Sequence, residues 1–168
     1  MRVLIVVDMQ NDFIDGSLGS IEAKKIVPNV INKIKEYENE LIYFTKDTHF
    51  EDYLDTPEGK KLPVKHCIKG TTGWNIPNEI LGNNKNIIEK YTFGSVELFE
   101  KLKEFNNIES IELIGLCTDI CVVSNVLLAK AYFPNIQIIV DSKCCAGVTP
   151  QSHQKALDTM QMCQIDIK

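Results

Sequence analysis

Short apolar runs, several of them β-branched, alternate along the chain with stretches in which apolar residues recur at helical spacing. Arg2–Val7 is an unbroken run ending in Asp8 and predicts a fully buried first strand. Val27, Val30, Ile31, Ile34 and Tyr37 share one face of a helix expected to begin at Pro28 and reach about Glu40. Leu41–Thr45 predicts a second strand and Asn86–Glu89 a third. Ile111–Ile114 predicts a fourth, Asn135–Val140 a fifth and Gln164–Ile167 a short sixth. Further helices are expected from a Ser95 cap to about Phe105, over Ile120–Ala131, and from Pro150 to about Met162. Met9–Ser20 and Phe50–Pro77 carry loop residues, and the second is long enough to expect a function for it.

Strands that alternate with helices imply an α/β fold with a mostly parallel six-stranded sheet and helices on both faces. In such sheets ligands bind beyond the carboxyl ends of the strands. Asp8, Asp47, His49, Lys90 and Cys121 all fall at or just after predicted strand ends. Gly115 allows a sharp backbone path after the fourth strand, and Thr118 or Asp119 is a candidate cap for the helix that follows. Cys121 then sits in a first helical turn, where unpaired N–H groups and the helix dipole favour a thiolate and can hold an oxyanion. Taken alone, Cys121 also fits an ordinary buried cysteine, since Val122, Val123, Val126, Leu127 and Leu128 follow it.

Composition narrows the function classes. The 168 residues suit one domain, 1–168, with 44% apolar and 24% charged residues, as in a soluble globular protein. The net charge of −5 argues against nucleic acid or an anionic membrane as partner. Val3–Val7 is too short for a signal-peptide core, and six cysteines without a secretion signal point to a reducing, cytoplasmic setting. No C-x-x-C pair is present, so neither a dithiol redox site nor a zinc ribbon is indicated.

The candidate residues combine chemically. A cysteine nucleophile needs a base, and Asp8 on a neighbouring strand is the nearest, able also to pass a proton to a leaving amine. Lys90 would hold Asp8 ionised or stabilise the thiolate, although Asp8 and Lys90 also fit a plain ion pair at the sheet rim. Asp47-x-His49 with His66 supplies one oxygen and two nitrogen ligands, a set suited to zinc, iron or manganese, or else orders the long loop.

V-D-M-Q-N-D-F at 7–13, T-K-D-T-H-F at 45–50, H-C-I-K-G-T-T-G-W at 66–74 and G-L-C-T-D-I-C-V at 115–122 together resemble the isochorismatase-like cysteine hydrolases, which include nicotinamidases. The resemblance spans most of the chain. It implies a three-layer, Rossmann-like fold and an Asp–Lys–Cys triad at Asp8, Lys90 and Cys121. It also implies a cis peptide at Leu116–Cys117 and an oxyanion hole from the Cys117 and Cys121 N–H groups. Metal ligands map onto Asp47, His49 and His66, with Glu58 in place of a further histidine that many relatives carry, and Asp52 and Asp55 as rivals. The chain looks trimmed beside longer members.

The resulting expectation is hydrolysis of a small amide C–N bond, with nicotinamide leading and a divalent transition metal, weakly held, gripping its pyridine nitrogen. Phe13 and Trp74 would wall the flat ring. A homo-oligomer is expected. The alternatives are an N-carbamoyl or ureido amidohydrolase and a non-catalytic binding or partner subunit. Isochorismatase chemistry itself is not expected, because a vinyl ether needs no cysteine nucleophile.

Overall fold

β1 (Arg2–Val7) and β4 (Ser110–Leu116) form the centre of the molecule and are buried along almost their whole length, as strands covered on both faces of a parallel sheet are. β2 (Ile42–Asp47) and β3 (Ile87–Lys90) continue the sheet on one side, and β5 (Gln137–Ala146) and β6 (Asp166–Ile167) on the other. The order is β3-β2-β1-β4-β5-β6 and every pairing is parallel. This computed structural model describes residues 1–37 and 41–168. The end expected for the first helix, about Glu40, lies outside them.

α1 (Asn11–Ile14), α2 (Ile21–Lys35) and α4 (Asn78–Leu81) pack as one group. α5 (Val96–Leu102), α6 (Val123–Tyr132) and α7 (Pro150–Met162) form another, so helices cover both faces. α3 (Pro57–Lys61) lies in the long connection, just after a 3-10 turn at Tyr53–Asp55. Among the described residues no helix is long and apolar enough to cross a membrane.

Local chemistry moves several expected boundaries. α2 starts well before Pro28, because the Ser20 hydroxyl accepts the Ala23 N–H and Glu22 favours the positive end of the helix. Pro28 therefore lies inside the helix and forgoes the bond to the Lys24 carbonyl. α1, α3 and α4 are single turns within stretches that read as loop, too short to show periodicity. β5 runs six residues past the expected Val140, to Ala146; its polar Asp141 and Ser142 find partners in Lys33 and the Lys168 carbonyl. The expected caps of α5 and α7 are present: Ser95 accepts the Leu98 N–H, and Thr149 and Ser152 close a reciprocal box before Pro150.

The register of β4 against β5 shifts between Leu113 and Gly115. At that shift Gly115 has φ +119°, and a Cβ there would meet the Val7 carbonyl oxygen at 2.1 Å. Only glycine lets β4 pass this close to β1 and deliver the following turn beside Asp8.

Candidate active site

The carboxyl ends of β1, β2 and β3 place Asp8, Asp47 and Lys90 side by side, and the turn after β4 adds Cys121. Lys90 Nζ lies 2.7 Å from Asp8 Oδ2, 3.1 Å from Asp47 Oδ1 and 3.5 Å from Cys121 Sγ. All four side chains are buried. Asp8 has φ 46°, an uncommon backbone for aspartate. Its Oδ1 accepts the Thr45 hydroxyl at 2.6 Å, which aims the carboxylate across the strand pair.

The turn that carries Cys121 differs from the one expected. Thr118–Val122 is a wide π-type turn, with the Val122 N–H bonded to the Cys117 carbonyl, and α6 begins only at Val123. Neither candidate cap acts as one. Thr118 Oγ1 bonds His153 Nδ1 at 2.7 Å, and the Asp119 carboxylate accepts the Val148 N–H. The Leu116–Cys117 peptide is cis. Asn125, fully buried, donates to the Cys121 carbonyl at 2.8 Å and accepts the Ser95 N–H at 2.9 Å, tying the turn to the cap of α5.

Burial and charge set the protons. Burial pushes the Asp8 carboxyl above its ordinary value and Asp47 adds to this, with Lys90 opposing. Asp47 goes the other way: burial raises it, but hydrogen bonds from His49 and His66 and the Lys90 charge bring it well below the usual range. Burial works against the Lys90 charge, but the carboxylates of Asp8 and Asp47 hold the ammonium well above its ordinary value. Burial and the two carboxylates push the Cys121 thiol well above its ordinary value, against Lys90. The expectation of an acidic thiol is thereby reversed. A thiol pushed up in this way calls for a base to take its proton.

Beside this group Asp47, His49 and His66 turn one ligand atom each to a common point, all within 4.8 Å of one another. Glu58, in the first turn of α3 behind its Thr56 cap, brings Oε1 to 3.7 Å from His49 Nε2 and 3.8 Å from His66 Nε2. His66 Nδ1 is occupied by the Val64 carbonyl at 2.8 Å, which leaves Nε2 as its ligating atom. Two imidazoles and two carboxylates on one point fit a divalent transition metal. The rivals of Glu58, Asp52 and Asp55, make no such approach among the described contacts. The ring of Phe13 lies 5.5 Å from that of His66.

Trp74, expected as a second wall, is not brought to this cluster. Its Nε1 donates to Thr48 Oγ1 at 2.9 Å and its ring lies under the Lys46 ammonium. Lys46 alternates to the opposite side of β2 from Thr45 and Asp47. A strand gives its facing by alternation, whereas Trp74 comes from a loop whose path the sequence does not display.

Two residues of the first motif hold the site without joining it. Gln10 donates to the Asp47 and Trp74 carbonyls, both at 2.9 Å, and accepts the Asp47 N–H at 2.7 Å. Asp12 accepts the N–H of Cys67, next to His66, at 2.7 Å. Both belong to V-D-M-Q-N-D-F, and the signal was their polar side chains beside a buried strand end.

The isochorismatase domain family matches residues 2–167 of the chain. A Bacillus subtilis protein described as an uncharacterized isochorismatase family protein is 30% identical, over 93% of this chain and 92% of that protein. The nicotinamidase/pyrazinamidase of Mycobacterium tuberculosis is 24% identical, over 99% of this chain and 98% of its own. The chain spans nearly the whole length of both relatives, and the 186-residue alignment to the second is longer than the chain's own 168 residues. Among solved structures, a pyrazinamidase of Pyrococcus horikoshii in complex with zinc superposes with a TM-score of 0.83 at 27% identity, covering 99% of this chain and 98% of that one. An N-carbamoylsarcosine amidase of Thermoplasma acidophilum superposes with a TM-score of 0.80 at 26% identity, covering 99% and 95%.

Proposed function

The chain belongs to the isochorismatase family, and from that premise we propose that it cleaves the C–N bond of a small amide, nicotinamide first, through a thioester on Cys121. The observation that carries this reading is the single ammonium of Lys90 shared between two carboxylates and a thiol. A plain ion pair has no need of the sulfur.

The protons dictate the order of events. Asp8 takes the Cys121 proton as the sulfur attacks the amide carbon, and its raised affinity for that proton suits it to the task. Negative charge moves to the amide oxygen, which the backbone N–H groups of Cys117 and Cys121 are proposed to receive. Asp8 then gives its proton to the departing amine, the C–N bond breaks, and ammonia leaves a Cys121 thioester. Water attacks the thioester with Asp8 again as base, which releases the carboxylic acid and restores the thiol. Lys90 remains charged throughout and offsets whichever of Asp8 and Cys121 is negative.

Asp47, His49, His66 and Glu58 would hold a divalent metal beside this line of attack. Such an ion, when bound, supplies a Lewis-acid contact to a ring nitrogen and so fixes the amide over Cys121. Phe13 supports the ring of His66 and is proposed as the apolar wall. The N-carbamoylsarcosine amidase likeness favours one second reading, a ureido substrate cleaved by the same residues.

Ammonia release across a panel of carboxamides and ureido compounds tests the proposal, with Cys121→Ala as control. Nicotinamide is expected to lead, and Cys121→Ala to lose at least about 10³-fold in turnover. Release from ureido compounds alone moves the substrate to the second reading. Undiminished release by Cys121→Ala sinks the thioester.

A further inference from the structure

On the far side of β2 from the cluster, Lys46 is only 7% exposed yet has no hydrogen bond or ion pair from its ammonium among the described residues. The ammonium stands 2.9 Å from the centre of the Trp74 ring. Its register partner on β3, facing the same side, is the carboxylate Glu89. Glu89 is already taken, at 2.6 Å, by Lys69, which lies 5.8 Å from the same indole. Two lysines therefore share one carboxylate, and one positive charge stays unmatched in a chain of net charge −5. A nearly buried cation with only an aromatic face for company is poorly compensated for its lost water.

Lys46 lines a cavity of about 340 Å³, large enough for a small organic molecule. Ile76, Leu81 and Ile87 supply an apolar wall, and the exposed Asn75 and Asn78 also line it, with side-chain amides that make no hydrogen bond among the described residues. None of the lining residues belongs to the Asp8–Asp47–Lys90–Cys121 group. One cation, two free amides and a hydrocarbon wall suit a monoanion with an apolar body. A phosphate dianion would want several cations and no such wall.

We infer that this pocket binds small organic carboxylates, the carboxylate on Lys46 beside Asn75 and Asn78 and the hydrocarbon body against Ile76, Leu81 and Ile87. The site stands apart from the proposed amide hydrolysis and does not depend on it.

Trp74 is the one tryptophan of the chain and lies directly under Lys46, so its emission reports on the site. The full chain is titrated with cyclohexanecarboxylate, its neutral carboxamide and inorganic phosphate, following Trp74 emission and, independently, heat. The acid is expected to saturate in the millimolar range. The carboxamide should give no saturable change, and phosphate should bind more weakly than the acid. Lys46→Met should weaken the acid at least about tenfold, Lys46→Arg should keep most of it, and the exposed Asn78→Asp should weaken it several-fold without touching the core. Equal binding of acid and carboxamide, unchanged affinity in Lys46→Met, or no saturation by either readout overturns the inference. Tighter binding of phosphate overturns the ligand class. If Lys46→Met unfolds, Asn78→Asp decides: unchanged affinity there removes the site.

Discussion

Two lysines sit in nests of carboxylates, Lys90 buried and Lys33 half-buried, and only Lys90 also faces a thiol. Lys33, on α2, lies 3.2 Å from Glu36, 3.2 Å from Glu112 and 3.1 Å from Asp141, while the Tyr37 hydroxyl donates to Glu112 at 2.6 Å. Every partner there is an oxygen, and none is a nucleophile. Lys90 also faces two carboxylates, but its third neighbour is a thiol, and the group ends against two histidines. The carboxylates of that second nest are driven apart, Asp8 upward and Asp47 downward. Buried charge alone is thus no mark of a site. A carboxyl ready to take a proton, next to a thiol that must give one, is.

The sharpest way to break this contrast is Asp8→Asn, which keeps the shape and removes the proton carrier. Ammonia release should fall about 10²–10⁴-fold, with the thermal midpoint shifted by no more than about 5 °C. Near-normal turnover would reduce Asp8 to a rim ion pair and erase the difference between the nests.

Lys33→Met should do the reverse. Removing the cation leaves the buried Glu112 with only the Tyr37 hydroxyl and the more distant Lys168 ammonium, at 3.8 Å, and stability should fall by about 3 kcal/mol in denaturant unfolding. Turnover measured well below the new midpoint should stay within about twofold of the parent. A large loss of turnover with stability intact would assign the Lys33 nest a role in the reaction.

Removing metal by chelation should raise KM for nicotinamide about tenfold with little change in kcat, since the ion is proposed to hold the ring and not to make the nucleophile. Elemental analysis must accompany the kinetics. An unchanged KM in metal-free protein leaves Asp47, His49 and His66 with only the loop to order.

The smallest effect lies in pH. The folded value of Asp8 is raised above its unfolded one, so its protonated form favours the fold. Its contribution is fully present below the ordinary carboxylate value of 3.8 and is lost as pH rises through the folded value. Asp8→Asn should therefore gain stability relative to the parent as pH climbs out of that range. The acid limb of kcat/KM should lie above 3.8 and the alkaline limb above the ordinary thiol value of 9.0. Parallel stability curves for the two proteins would count against a raised Asp8.

How much of this was legible follows from where each residue lies. Asp8, Asp47 and Lys90 stand at the ends of strands whose apolar runs are plain, and a parallel sheet sends all such ends to one rim. Cys121 could be placed after β4 for the same reason. Its thiol was misjudged because the sequence shows a helix start but not the burial and paired carboxylates that outweigh it. Trp74 went to the wrong side because a loop has no period to read. Glu58 needed the Thr56 cap and the turn before it to reach the histidines. Gln10 and Asp12 act through the backbone of residues far along the chain, which no local pattern announces.

The sheet order also sets a timetable. β1 lies between β2 and β4, so a chain growing from its amino end can assemble β1, β2 and β3 long before β4 exists. Asp8, Asp47 and Lys90 are then in place while one edge of β1 stays unpaired and apolar, an invitation to sticking. The strand that closes this edge is the one that delivers Cys121. Pairing β4 with β1 and bringing the proposed nucleophile beside Asp8 are thus a single event, and a form lacking β4 is expected to have no working thiol.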